Sequence, residues 1–280
     1  MDILSGSYSH MERGIEMAGW FQVLWGKPGG KFFPPVTLDG DDSKPLTITA
    51  GKKGDIDRIC TRPTAVDLNG DGHLDIVSGN FGGTFYVFYG NGQALFPATG
   101  EWLKAGGKLA EVPHHSDPFF VDWDGDGDQD MLSGAADGSV HLFTNTGSAK
   151  EATFAAPQML IKGAAESEEM QFGMEHLKRS QGSTRVWAAD MNDDGKLDLL
   201  VGDSVTLNFP ADGLTGAEAR KKYAEWQKEE QAVMASFENA SADPDGEMED
   251  MSAKWQALYE KLETILNQEM TGFVWVYYQK

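Results

Sequence analysis

Three stretches of this 280-residue sequence gather oxygen-bearing side chains at a spacing that suits one kind of chemistry. They read AVDLNGDGHLDIVSGNFGG (65–83), FVDWDGDGDQDMLSGAADG (120–138) and AADMNDDGKLDLLVGD (188–203). Hard divalent cations select oxygen ligands, and Ca²⁺ takes six to eight of them. A nine-residue loop with side-chain oxygens at positions 1, 3, 5 and 9 and a carbonyl at 7 can wrap one ion. Glycine at position 6 permits the sharp turn. The first loop offers Asp67, Asn69, Asp71 and Asp75 with the carbonyl of His73. The second offers Asp122, Asp124, Asp126 and Asp130 with the carbonyl of Asp128. The third offers Asp190, Asn192, Asp194 and Asp198 with the carbonyl of Lys196. The matching glycines are Gly72, Gly127 and Gly195.

An EF-hand would need a bidentate Glu at position 12, where this chain has Ser78, Ser133 and Val201. A dockerin would place a helix after each loop, and thrombospondin-type repeats would bring cysteines; Cys60 is the only one here. Metal-free Asx-turns in an acidic β protein are the plain alternative. They would leave clustered carboxylates to repel one another without compensation. Mg²⁺ suits the loops less well, because it prefers few carboxylates and several retained waters.

Elements of strand type must hold these loops. Each is followed by an apolar run (DIVSG, DMLSG, DLLVG), and the first two continue into the alternating stretches TFYVFYGNG and SVHLFTNTG. The opening MDILSGSY fits the same register, with Asp2 aligned to Asp75, Asp130 and Asp198. The chain therefore holds four copies, the first without its loop, so Asp2 is expected to hold no ion. These residues resemble the FG-GAP (VCBS) repeats of bacterial and integrin-type β-propellers. The resemblance implies an all-β fold with a helical insertion: a small propeller of about four blades, carrying an antiparallel helical hairpin.

Blades are expected over residues 1–208, with a final strand at 271–280 and the hairpin at 215–270. The step from loop to turn glycine takes eight residues in two copies, but runs from Asp198 to Gly272 in the last. Thr215–Glu218 reads as a capping box opening the first helix, with Tyr223, Trp226, Val233 and Phe237 on one face. Asp243-Pro244 can cap the second helix, whose heptad-like, coiled-coil seam runs from Met248 and Met251 through Trp255, Leu258, Leu262 and Ile265 to Met270. This hairpin either packs on itself and the blades or projects as an interaction arm.

Closure of the ring is the open question. The first blade lacks an opening strand and the last a closing one, so a partner chain could supply an edge. The bare start also suggests a trimmed form of a longer exported protein.

The formal charge of −21 argues against a nucleic-acid or anionic-membrane partner, and no apolar run reaches the length of a membrane span. Three bound Ca²⁺ ions would bring the charge to −15 (−21 + 6). Other candidates for chemistry are weak. His114-His115 lies beside Asp117, GKPGGKF (26–32) occupies a turn position, and Cys60 sits near Arg58 and Arg62. No nucleophile–base set appears outside the repeats. The reading is a non-catalytic, calcium-binding scaffold. It is expected to be secreted, periplasmic or at the cell surface, its export signal absent from this chain, and to bind a protein or form a homo-oligomer. A carbohydrate-binding (lectin-like) propeller is the alternative, favoured if Trp20, Trp25 or Trp102 is exposed on one rim. A hydrolase or lyase is third.

Overall fold

A computed structural model describes residues 1–10, 17–93, 95–164, 169–240 and 247–280. The chain divides into two compact units, Met1–Ala164 with Arg179–Ser204 and Phe273–Lys280, and Ala165–Lys178 with Val205–Gly272.

The first unit is four antiparallel sheets in a β-propeller arrangement. The first blade pairs β1 (Ile3–Gly6), β2 (Phe21–Leu24) and β5 (Val36–Thr37); the ribbon β3 (Gly26–Lys27) with β4 (Lys31–Phe32) lies between the last two in sequence. The second follows β6 (Arg62–Val66), β7 (Asp75–Gly79), β8 (Phe85–Phe88) and β9 (Glu101–Trp102) in spatial order. After the ribbon β10 (Lys104–Ala105) and β11 (Lys108–Leu109), the third runs β12 (Asp117–Val121), β13 (Asp130–Gly134), β14 (Val140–Phe143) and β15 (Gln158–Ile161). The fourth places β16 (Gly182–Ala189) beside β17 (Asp198–Pro210), whose Leu199–Gly202 stretch pairs β19 (Val274–Tyr277).

Alternation along each strand builds the cores between blades, because successive side chains leave opposite faces. Phe85 and Val87 join Met131 and Phe143 between the second and third blades. Their neighbours Tyr86 and Phe88 turn the other way, to Phe21 and Val23 of the first. Val140 and Leu142 meet Val186 and Leu199 between the third and fourth. Among the described residues, no such cluster joins the fourth blade to the first.

A second bond type repeats at each of these boundaries. Thr61, Ser116 and Thr184 stand one residue ahead of Arg62, Asp117 and Arg185, the partners of Gly79, Gly134 and Gly202, and all three are buried. Ser116 Oγ donates to Thr84 O (2.6 Å) and accepts Asn80 N–H (2.9 Å), both in the preceding blade. Thr184 Oγ1 treats Ser139 O (2.9 Å) and Ala135 N–H (2.8 Å) alike, and Thr61 does so with Trp20 O (3.1 Å) and Ser7 N–H (3.0 Å). Cys60, His115 and Ser183, just before them, all hold left-handed backbone (φ 58°, 52° and 49°). That turn aims each hydroxyl, and it gives His114-His115 and Cys60 a conformational role.

The second unit contains α1 (Gly216–Ala240) and α2 (Glu247–Glu263). Thr215 caps α1 with Glu218: the Thr215 N–H donates to Glu218 Oε2 (2.9 Å) and the Glu218 N–H to Thr215 Oγ1 (3.3 Å). At 1.5 Å per residue the helices are about 37 and about 25 Å long, so the arms are unequal. Trp226 is buried with Leu258, Leu262 and Ile265, and its indole N–H donates to Leu258 O at 2.8 Å. It is a core residue of this unit.

The expected seam through Met270 is corrected here. The helix stops at Glu263, and β18 (Leu266–Thr271) pairs instead with Val205–Pro210 of β17. Six ladder pairs along that strand outweigh one more turn of helix, and Met270 ends 81% exposed. The proposed Asp243-Pro244 cap, and the side chains of Phe237, Met248 and Met251, lie outside the described residues.

Candidate metal centre

Each acidic loop links an inner strand to the strand beside it: β6 to β7, β12 to β13, β16 to β17. The glycine at position 6 has φ of 86°, 94° and 84° at Gly72, Gly127 and Gly195, a region L side chains avoid. The chain then curls around its own carboxylates. Asp67 Oδ2 accepts the Gly72 N–H (2.9 Å), Asp122 Oδ2 that of Gly127 (3.1 Å) and Asp190 Oδ2 that of Gly195 (2.8 Å). The fifth-position carboxylates accept the N–H two residues on, Asp71 from His73 (2.9 Å), Asp126 from Asp128 (3.0 Å) and Asp194 from Lys196 (2.9 Å). Those bonds orient residue 7, whose carbonyl the sequence assigned to the ion.

Oxygens of Asp122, Asp124 and Asp130 lie within 4.8 Å of one another, a grouping that could hold a metal ion. In the first and third loops the third position is an amide. Asn69 Nδ2 donates to Asp71 Oδ2 (3.1 Å), and Asn192 Nδ2 to Asp194 Oδ2 (3.2 Å). At positions 1, 3, 5 and 9 those two loops thus carry one fewer carboxylate than the second.

The ninth-position carboxylates do more than sequence spacing indicated. Asp75, Asp130 and Asp198 are fully buried, and each accepts two backbone N–H groups. One comes from just past the inner strand: Leu68 (3.0 Å), Trp123 (2.9 Å) or Met191 (3.0 Å). The other comes from past the third strand: Gly90 (2.9 Å), Asn145 (2.7 Å) or Gln279 (2.9 Å). A single carboxylate thereby ties three strands. Burial pushes the Asp75 and Asp130 carboxyls above the usual range, opposed by those N–H bonds. Buried negative charge of this kind is relieved by a nearby cation. Asp2 keeps one such bond, from the Gly26 N–H at 2.7 Å.

Asp128 is the residue whose side chain the sequence left unused. It is 6% exposed, its Oδ1 has no hydrogen-bond partner, and it lines a cleft of about 310 Å³ with Asp67, Asn145 and Lys150. Burial raises its pKa, and the carboxylates of Asp126, Asp130, Asp124 and Asp122 raise it further. The donor set in all three loops is oxygen alone, which fits a hard divalent cation. The only sign of Asp128 in the sequence was a fifth carboxylate in a loop that needs four.

The FG-GAP-like repeat family matches residues 67–133 and 122–201. No curated protein matches the sequence. FG-GAP repeats are typically extracellular and often bind calcium, and propellers of this family are typically non-catalytic scaffolds that mediate protein interactions. No helix among the described residues is long and apolar enough to cross a membrane. Both matched spans begin at the first position of an acidic loop, Asp67 and Asp122: residues 67–201 match FG-GAP-like repeats, and the strands of the first unit take a four-bladed β-propeller arrangement.

Proposed function

We propose that the chain is a calcium-stapled, non-catalytic β-propeller scaffold that works outside the cytosol and binds another protein. The carrying observation is the grouping of Asp122, Asp124 and Asp130 within 4.8 Å, in a loop whose spacing recurs twice more. One ion per loop gives three sites: Asp67, Asn69, Asp71, Asp75 and the His73 carbonyl; Asp122, Asp124, Asp126, Asp130 and the Asp128 carbonyl; Asp190, Asn192, Asp194, Asp198 and the Lys196 carbonyl. When bound, the ion supplies charge compensation and a cross-link between neighbouring strands, and no reaction step is asked of it. Extracellular calcium modules bind at about 10⁻⁴–10⁻³ M, which fits a location outside the cytosol. The blades of the first unit form the scaffold, and the second unit, with α1, α2 and the ladder of β18 on Val205–Pro210, is the insertion. The burial of Trp226 favours a hairpin that packs on itself over an anchor for a partner.

The test is isothermal titration of the EDTA-stripped chain with CaCl₂ and with MgCl₂. Saturable calcium uptake approaching three ions per chain, lost in part in Asp124→Ala, supports the reading. No uptake at millimolar calcium overturns it. A glycan-binding reading draws on Trp25, which is 38% exposed, while Trp20 is buried at 6%. Trp187 on β16 is exposed as well (60%), but its ring packs against that of Phe119, 4.7 Å between centroids, so the protein-binding reading is preferred.

A further inference from the structure

Position 7 of the acidic loops is His73, Asp128 and Lys196, so stapling by an ion asks for a carbonyl there and for no particular side chain. Only the second loop puts a carboxylate at that position. It stands apart from the ion site of its own loop. The oxygens that group within 4.8 Å belong to Asp122, Asp124 and Asp130, and none of those three lines the cleft that Asp128 lines. Asp128 is 6% exposed, and its Oδ1 is closed to water and has no donor among the described residues. A carboxylate left in that state is costly, and a cation placed against it removes the penalty.

The cleft around it is held rigidly. Its walls come from two successive blades: Asp67 and Leu68 from the first loop, and Asn145 with the 149–152 segment that leads into β15. Asn145 is buried, and its Oδ1 accepts the N–H groups of Gly147 (3.0 Å) and Thr153 (2.8 Å), pinning both ends of the turn after β14. Within that turn Ser148 and Glu151 exchange backbone bonds of 3.2 and 3.1 Å. The turn rests on the first loop, since a Cβ on Gly70 would lie 2.6 Å from the Ala149 carbonyl oxygen. The volume of about 310 Å³ is at the lower end of the about 300–1,000 Å³ of small-ligand pockets, room for one side chain. Leu68, Ala149 and Ala152 supply apolar wall, and Asp128 and Asp67 the charge. Lys150 is the chain's own cation at this cleft, yet it is carried over the first loop. A Cβ on Gly70 would lie 2.8 Å from its Cγ, and Asp128 Oδ1 stays without a partner.

We propose that this cleft is a pocket for a lysine side chain of a partner protein. The four methylenes lie against the apolar wall and the ammonium meets the Asp128 carboxylate. A bare metal ion would make no use of that wall, and a guanidinium asks for a planar two-oxygen acceptor that a closed Oδ1 does not offer. The formal charge of −21 draws basic partners toward the chain before contact. The pocket deepens the protein-binding half of the proposed function and is independent of its calcium half.

The probes are Nα-acetyl-lysine amide and its uncharged counterpart Nα-acetyl-norleucine amide. Each is titrated into the ¹⁵N-labelled full chain in millimolar CaCl₂ at physiological salt, and the amide shifts of Asp128, Asn145 and Lys150 are followed. Saturable shifts with a Kd of about a few millimolar are expected for lysine and none for norleucine. Asp128→Asn keeps the loop carbonyl and should weaken lysine binding about tenfold or more, the loss of a hydrogen bond to a charged group. Asp212→Asn removes an exposed acid elsewhere and should change nothing. Lack of saturation at about 50 mM lysine probe overturns the proposal, as does equal binding of the norleucine probe or by the Asp128→Asn chain. A fourth calcium ion per chain that Asp128→Asn removes assigns the cleft to a metal and overturns it. Strong coupling of Asp128→Asn with Lys150→Ala in a stability cycle makes Lys150 the native partner and overturns it too. n-Butylamine binding as tightly as the lysine probe leaves a pocket for a free amine and strikes the protein partner. Normal calcium uptake without lysine binding is a failure of the pocket alone.

Discussion

The Ser116 hydroxyl donates to the carbonyl of Thr84 across 2.6 Å, joining the head of one inner strand to the turn of the preceding blade. Both residues are buried, so no water replaces the bond when it is lost. Ser116→Ala leaves the Thr84 carbonyl and the Asn80 N–H unsatisfied, a cost of about 1–3 kcal/mol. Thr184→Val should cost a similar amount through Ser139 and Ala135. Ser5→Ala, whose hydroxyl among the described residues bonds only the adjacent Gly6 carbonyl, should change stability by less than about 0.5 kcal/mol. Urea midpoints with unchanged slopes check all three, and equal effects would contradict the boundary role of the hydroxyl.

Glycine at the end of each second strand divides the blades into those that are covered and one that is not. A Cβ on Gly79 would lie 2.1 Å from the Ser116 carbonyl oxygen, and one on Gly134 2.2 Å from that of Thr184. A Cβ on Gly202 meets nothing nearer than Arg185 Cβ at 3.9 Å. Gly134→Ala therefore forces backbone apart and should cost at least the upper part of the about 1–3 kcal/mol range for overpacking. Gly202→Ala should be neutral or stabilise by about 0.5 kcal/mol, since alanine loses less entropy in a strand. Thermal unfolding of the two variants decides it; a large loss in Gly202→Ala would mean its neighbourhood is filled.

The contrast shows which parts of the molecule were legible. The loops and the alternation of β8 and β14 are local patterns, and they sufficed for the repeat and for the number of blades. The boundary hydroxyls of Thr61, Ser116 and Thr184 recur at one offset, but each works only through a partner at least 32 residues away. The end of α2 was missed because Leu266–Thr271 has a helix-compatible composition. Only the partner strand Val205–Pro210, some 60 residues earlier in the chain, makes it β. Asp75, Asp130 and Asp198 read as ligands from spacing, and their grip on three strands needed coordinates. Asp128 read as a carbonyl donor, and its buried carboxylate was hidden for the same reason.

Calcium removal should loosen the blades. If each loop is filled, 100-fold excess of free calcium over the dissociation constant contributes about 2.7 kcal/mol per site. The melting temperature should therefore fall on adding EDTA and return with CaCl₂. Because burial raises the Asp75 and Asp130 carboxyls, protons compete with the ion for them more strongly than for ordinary carboxylates. Affinity should weaken progressively as the pH is lowered toward the carboxylate range, with proton release measurable by titration in buffers of different ionisation enthalpy. Affinity independent of pH between 7 and about 4 would argue that these two residues are not ligands.

His141 sets a second pH dependence, of opposite origin. It is 7% exposed, with Nε2 2.8 Å from Ser139 Oγ, while that hydroxyl donates to Asp137 Oδ1 at 2.5 Å. With the hydroxyl proton committed to Asp137, Nε2 is left as the donor of a neutral ring. Burial lowers the pKa of His141, partly offset by the Asp137 charge. His115 is lowered as well, by burial first and then by Arg62, His114 and Arg185. At these two rings the folded chain thus binds fewer protons than the unfolded chain wherever the pH lies between the lowered values and the ordinary value of about 6.5, whereas the raised carboxyls of Asp75, Asp117, Asp128 and Asp130 act in the opposite sense. The histidine contribution to stability should be full above about pH 6.5 and decline as the pH drops below it. His141→Asn keeps a polar group beside Ser139 and removes one titration, so its stability should fall less steeply over that interval, leaving the share due to His115. Urea unfolding at pH 7.5, 6.5 and 5.5 in EDTA reads the slope apart from any calcium effect. An unchanged slope in His141→Asn would show that the ring does take up its proton in the folded protein.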